Sequence, residues 1–151
     1  MITVRLLDFA TEVVALRDLR MSILYPGLPQ KKSFYPGDED ASHVGAFDPT
    51  GTLIGIASLF RCEDGSLQLR GMATSAEARG TGAGRDIVRF AEAFAAENKI
   101  PRLWCNARVS ALGFYVKCGW QIEGTEFEVP DIGPHYIMVS TATDEKTGAT
   151  E

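Results

Sequence analysis

The residues best placed to do chemistry lie in Arg79-Gly80-Thr81-Gly82-Ala83-Gly84-Arg85, between a strand pattern and an apolar helix pattern. Three glycines in five residues permit left-handed backbone and close approach of a ligand to the main chain. A helix opening directly behind them aims several unpaired N–H groups at one point, which favours an anion and most naturally a phosphate. Arg79 and Arg85 flank the turn and can add charge-assisted hydrogen bonds. Glycines alone fit equally a loop that only turns a strand into a helix. A Walker loop requires Gly-Lys-Ser/Thr, and Gly84 is followed by Arg85-Asp86. A dinucleotide fingerprint beginning at Gly82 requires glycine at position 87, which is Ile87.

Other candidates are sparser. Cys62, Cys105 and Cys118 are odd in number and widely spaced, with no CxxC pair, so they form no disulfide framework. With His43 and His135 far apart as well, no metal is expected. Cys105 and Cys118 read as small core residues. Glu126, Glu128, Asp131 and His135 cluster near the end of the chain, and His135 alone among them ordinarily titrates near neutrality.

Elements must position these groups. Ile2 to Leu7 suits a first strand, and Asp8 can cap a helix whose apolar stripe is Val13, Leu16, Leu19, Ile23 and Leu24, ending at Pro26-Gly27. Leu28 to Ser42, with Phe34, Tyr35 and Asp38-Glu39-Asp40, has no period and reads as a long loop or a short irregular helix. His43 to Phe47, Thr52 to Cys62 and Leu67 to Thr74 are separated by turn signals and form an antiparallel meander. After the glycines, Ile87, Phe90, Ala91, Phe94 and Ala95 mark the clearest helix, with Arg85, Asp86, Arg89, Glu92 and Glu97 facing elsewhere, until Asn98-Lys99-Ile100-Pro101 stops it. Arg102 to Ala107 reads as a buried, parallel strand, so a right-handed βαβ unit spans the glycine turn. Val109 to Cys118 is a second helix, ended by Gly119. Trp120 to Val129, alternating Trp120, Ile122 and Gly124, and Tyr136 to Ser140 are the last strands. One domain over 1–142 and a polar, disordered tail over 143–151 are expected.

Met72-Ala73-Thr74, Arg79-Gly80-Thr81-Gly82-Ala83-Gly84 and Ala111-x-x-Phe114-Tyr115-x-x-x-Gly119-Trp120 together resemble the Gcn5-related N-acetyltransferase (GNAT) superfamily. The match covers roughly Leu67 to Ser140. Gly133-Pro134-His135-Tyr136-Ile137-Met138 further resembles its ElaA-like, small-molecule branch. The resemblance implies a mixed α/β fold: about seven mostly antiparallel strands, splayed between strands 4 and 5, with helices on both faces and acetyl-CoA, or another acyl-CoA, in the gap. The backbone of Met72, Ala73 and Thr74 would hold the pantetheine arm, an amide near Met72 would polarise the thioester carbonyl, and the amides of Gly80, Thr81, Gly82, Ala83 and Gly84 would take the pyrophosphate.

The same resemblance makes Tyr115 the general acid for the departing thiolate; a helix aromatic packing beside Phe114 is the alternative. One departure stands out. Where many members carry a CoA-binding asparagine, three residues before Ala111, this chain has Arg108, with Asn106 two residues earlier. The base is not identified; the acceptor side is expected at Tyr35, Glu128 and His135.

The implied function is acetyl transfer to a primary amine of a small molecule, with a non-catalytic acyl-CoA sensor or a protein acetyltransferase as alternatives. A homodimer through the last strands is a family habit. The net charge of −5 argues against a nucleic-acid partner. No run reaches the roughly 20 apolar residues of a membrane span, and the first residues begin a strand, so a cytoplasmic protein is expected.

Overall fold

The structure, a computed structural model, describes residues 1–140. The tail expected over 143–151 lies outside the described residues. The strands are β1 (Thr3–Leu6), β2 (Ser42–Phe47), β3 (Leu53–Arg61), β4 (Leu67–Thr74), β5 (Leu103–Arg108), β6 (Gln121–Val129) and β7 (Gly133–Val139); the helices are α1 (Phe9–Leu19), α2 (Ala83–Glu97) and α3 (Leu112–Lys117). The sheet order is β1-β2-β3-β4-β5-β7-β6. β4 and β5 are parallel, whereas β1–β2, β2–β3, β5–β7 and β6–β7 are antiparallel, so the expected mixed, mostly antiparallel sheet is the one observed. The parallel register covers only Leu67–Leu69 opposite Leu103–Cys105, although β4 runs on to Thr74 and β5 to Arg108. The chain divides into two compact units.

The first unit comprises Met1–Phe60 and Arg70–Phe90. Asp8 caps α1 by accepting from the Ala10 N–H at 3.1 Å, while Glu12 accepts from the Asp8 N–H at 2.7 Å and from both Arg5 Nη atoms at 3.0 and 2.8 Å. α1 passes into a π-helical turn over Arg20–Leu24, closed by the Tyr25 N–H on the Arg20 carbonyl at 3.2 Å. The wider turn shifts the helical phase. Ile23, expected on the apolar stripe, is therefore 37% exposed, while Arg20, at the start of the widened turn and four residues after Leu16, is wholly buried at 0%. Leu16, Ile56 and Ala73 form the core, packed by Leu7, Phe9, Leu19, Leu24 and Leu53. The stretch from 28 to 42 carries two 3₁₀ turns, Gln30–Ser33 and Asp38–Asp40.

The second unit comprises Arg61–Leu69 and the chain from Ala91 on. α2 ends with Lys99 in the left-handed region and the Ile100 N–H on the Ala95 carbonyl at 2.8 Å, a helix-terminating arrangement that pulls buried Ile100 inward. Glu92, expected on the outer face, is buried and accepts from Trp120 Nε1 at 3.0 Å and from the Ser140 hydroxyl at 3.3 Å; its polar partners let it sit inside. Trp120 is buried but Ile122 is 47% exposed, against the alternation expected for them. Trp120 precedes β6 and follows Gly119 at φ +93°, so its inward turn does not set the strand's phase. β6 lies at the sheet edge, exposed throughout 121–126; its ladder to β7 shifts between Glu123 and Phe127, where Gly124 has φ +83°. Arg102 donates to both carboxylate oxygens of Glu123 at 2.9 and 2.7 Å.

Candidate active site

The glycine loop starts from a 3₁₀ turn, Ala76–Ala78, and an extended Arg79. Gly80 and Gly82 have φ of +77° and +83°, but Gly84, expected to share that freedom, lies in the first turn of α2 without a positive φ. The Thr81 N–H and hydroxyl both donate to the Ala78 carbonyl, at 3.1 and 2.5 Å, and the Ala83 N–H donates to Thr81 Oγ1 at 3.2 Å. Two of the five amides expected to meet an anion are thus used inside the loop. Those of Gly80, Gly82 and Gly84 make no hydrogen bond among the described residues. Nothing lies within 4 Å of where a Cβ on Gly80 would stand, and Arg85 Nη2 is 3.3 Å from the corresponding point on Gly82. Open space, unpaired donors, a guanidinium and the start of a 15-residue helix suit a phosphate group.

In β4, Gly71 has φ +61° immediately before Met72, Ala73 and Thr74. Its Cβ position is 2.9 Å from the Tyr35 hydroxyl oxygen, so only glycine lets that ring close on the strand. Tyr35, expected on the acceptor side, is thereby brought against Gly71, the residue before Met72. It is buried, its hydroxyl is 2.6 Å from that of Tyr25, and its ring lies 3.7 Å from Arg20 Cζ and 4.4 Å from Arg70 Cζ. Burial, helped by the Tyr25 hydrogen bond, holds its phenol well above the ordinary range.

Beneath Tyr35 runs a buried polar chain that sequence reasoning missed. Arg20 donates to Asp38 Oδ2 at 2.8 Å, Asp38 Oδ1 at 3.0 Å, the Ser33 carbonyl at 2.8 Å and the Ser58 hydroxyl at 2.9 Å. The Tyr35 N–H donates to Asp38 at 3.1 Å. His43 Nε2 lies 2.8 Å from the Asp38 carbonyl oxygen and Nδ1 lies 2.7 Å from Ser58 Oγ. A carbonyl only accepts, so Nε2 carries the proton and Nδ1 of the neutral ring accepts from Ser58. Burial lowers the His43 pKa against the pull of Asp38, in keeping with that neutral ring. One signal was available: Arg20 stands four residues beyond Leu16, on the buried stripe.

In the second unit Tyr115 is buried, edge-on to Phe114 at 5.1 Å and tilted on Trp120 at 5.2 Å. Its hydroxyl and the Cys105 thiol share a hydrogen bond. Burial and that partner raise Tyr115 well above the ordinary phenol range, and burial pushes Cys105 up to about 12. Both keep their protons at neutral pH. Asn106 is exposed, and half-buried Arg108 pairs in register with His135. His135 Nδ1 donates to the Gly133 carbonyl at 2.9 Å, and Phe127 covers the ring at 5.9 Å. Glu128, beside Phe127 in β6, is exposed on the opposite strand face. His135 and Arg108 are therefore neighbours, and Glu128 is not with them. Among the described residues no three His, Cys, Asp or Glu side chains gather as metal ligands, and no helix is long and apolar enough to cross a membrane.

A profile of the acetyltransferase (GNAT) family matches residues 13–120. An uncharacterized N-acetyltransferase of Bacillus subtilis, YitI, is 37% identical over 132 residues, spanning 82% of this chain and 88% of that protein. Among solved structures, Escherichia coli ElaA superposes with a TM-score of 0.75 at 18% identity, covering 93% of this chain and 99% of that one. An aminoglycoside 6'-N-acetyltransferase complexed with coenzyme A does so with a TM-score of 0.75 at 15% identity, covering 91% and 96%.

Proposed function

The chain belongs to the acetyltransferase (GNAT) family, and from that premise we propose that it moves the acetyl group of acetyl-CoA directly onto the primary amine of a small molecule in the cytoplasm. The observation that carries this reading is the loop at the start of α2, with the unpaired amides of Gly80, Gly82 and Gly84 and the guanidinium of Arg85 beside Gly82. In this reading they hold the pyrophosphate with Arg79, and Thr81 and Ala83 join by exchanging their internal hydrogen bonds. The backbone of Met72, Ala73 and Thr74 holds the pantetheine arm, Asn106 and Arg108 supply polar contacts to it, and the Met72 amide faces the thioester oxygen, where negative charge develops.

The step forms a bond from the amine nitrogen to the thioester carbon and breaks the carbon–sulfur bond. The amine gives up a proton, for which His135 offers Nε2, and the thiolate takes one from Tyr115. Burial keeps Tyr115 protonated at neutral pH, and the same desolvation makes a departing thiolate more basic. Tyr35 and Glu128 belong to the acceptor side. The reading is tested by CoA release across a panel of amines, peptides included. At least one should turn over, and Tyr115→Phe should lower its kcat by roughly 100-fold or more while acetyl-CoA binding is kept. Acetyl-CoA binding with no turnover of any acceptor would replace the enzyme with a sensor.

A further inference from the structure

Arg70 lies in β4 two residues before Met72, with Gly71 at φ +61° between them. Its guanidinium rests 4.4 Å from the Tyr35 ring centroid and 5.1 Å from that of Phe60. Arg5, Arg20 and Arg102 each meet a carboxylate with two nitrogens. Arg70, half-buried, forms no ion pair among the described residues.

Its surroundings are cationic. Arg17 lies 3.5 Å from Asp38, which Arg20 already holds at 2.8 Å, so two guanidiniums face one carboxylate while the third, Arg70, shares the Tyr35 ring with Arg20, in a chain whose net charge is −5. Arg17 Nε and Arg20 Nε are buried without a hydrogen-bond partner. Glu39 and Asp40 are exposed and pair with none of these arginines. Burial favours the neutral form of His43.

On the premise of the transferase reading above, we infer that the acceptor amine also carries a carboxylate a few bonds from its nitrogen, and that Arg70 binds it. A guanidinium lying against aromatic faces keeps its N–H edge available, and that edge matches a carboxylate in two parallel hydrogen bonds. The short span between Arg70 and Met72 suits an amino acid whose nitrogen reaches the thioester while its carboxylate stays on Arg70. A polycation would meet the two excess positive charges instead. Tyr35 is the positioning residue: wedged on Gly71 and tied to Tyr25, it sets where the Arg70 plane lies.

The experiment uses the proteinogenic amino acids, each as free acid and as carboxamide, with the N-acetylated forms of both as binding probes for calorimetry. For the preferred side chain, the free acid should show a KM at least tenfold below that of its carboxamide, and the N-acetylated acid should bind correspondingly tighter than the N-acetylated amide. Arg70→Gln should remove both differences, and Arg70→Lys should restore part of them. Equal handling of acid and amide by the natural protein, a preference that survives Arg70→Gln, or no binding of any acid probe up to about 10 mM, a free energy weaker than about 3 kcal/mol, overturns the inference. The calorimetric arm needs no turnover, so an acid preference in a protein that acetylates nothing would remove the transferase reading and keep the anion site.

Discussion

Replacing Asp38 by alanine removes the only carboxylate that Arg20 meets among the described residues. Arg20 has no exposed surface; it loses a 2.8 Å and a 3.0 Å hydrogen bond, and the Tyr35 N–H loses its 3.1 Å acceptor. Only the Ser33 carbonyl and the Ser58 hydroxyl remain to the guanidinium. Breaking a buried pair from one side costs about 3–5 kcal/mol, because the surviving charge stays buried. Against a typical total of about 5–15 kcal/mol that is a large share. With a urea m-value of about 2 kcal/mol/M, the unfolding midpoint should fall by about 2 M, followed by far-ultraviolet circular dichroism. Asp38→Ala combined with Arg20→Met removes both charges and should recover at least half of the loss. A single variant that loses less than about 1 kcal/mol, or a double variant no better than the single, refutes the account of this pair as a mutually dependent charge couple.

Two further outcomes follow from the same region. Gly71→Ala places a methyl 2.9 Å from the Tyr35 hydroxyl at φ +61°, adding about 1–2 kcal/mol of left-handed strain to about 1–3 kcal/mol of overpacking; urea unfolding should show a loss of about 2–5 kcal/mol, smaller in a Tyr35→Ala background, and a loss equal in both backgrounds counts against the contact. Desolvation pushes Asp38 up, but its hydrogen bonds to Arg20 and the Tyr35 N–H outweigh this and lower its pKa below the ordinary 3.8, while burial lowers His43 below 6.5. In both cases the unfolded chain binds more protons, so stability is complete above about pH 6.5, falls first as His43 is forced to charge, and falls again below about pH 4 as Asp38 protonates. Melting temperatures across about pH 2 to 8 should follow that course, with the first fall absent in His43→Gln; a flat profile down to about pH 5 contradicts it.

Much of the fold was readable because its signals are local. Strand alternation, the Asp8 cap, the glycine turn and the period of α2 each depend on a few neighbouring residues, and the parallel β5 followed from its apolar run. What escaped notice depends on contacts distant in sequence. Arg20 and its partners Asp38 and Ser58 lie 18 and 38 residues apart, and a charge acceptable in the interior only through such partners looks, in one dimension, like a solvated one. Glu92 misled for the same reason, its partners Trp120 and Ser140 lying 28 and 48 residues away. The π-helical turn defeated a pattern that assumes constant pitch. At the candidate site the anion loop was visible down to its glycines, but the internal bonds of Thr81 and Ala83, and the Cys105 partner of Tyr115, belong to three-dimensional detail no motif records.

β6 ends the sheet with its outer backbone groups facing solvent, and its sequence holds Glu123, Glu126 and Glu128 within six residues. An identical strand added in register would stack like charges at Glu126 and Glu128, and the irregular ladder around Gly124 interrupts the straight template that such growth needs. At neutral pH the edge therefore resists runaway polymerisation.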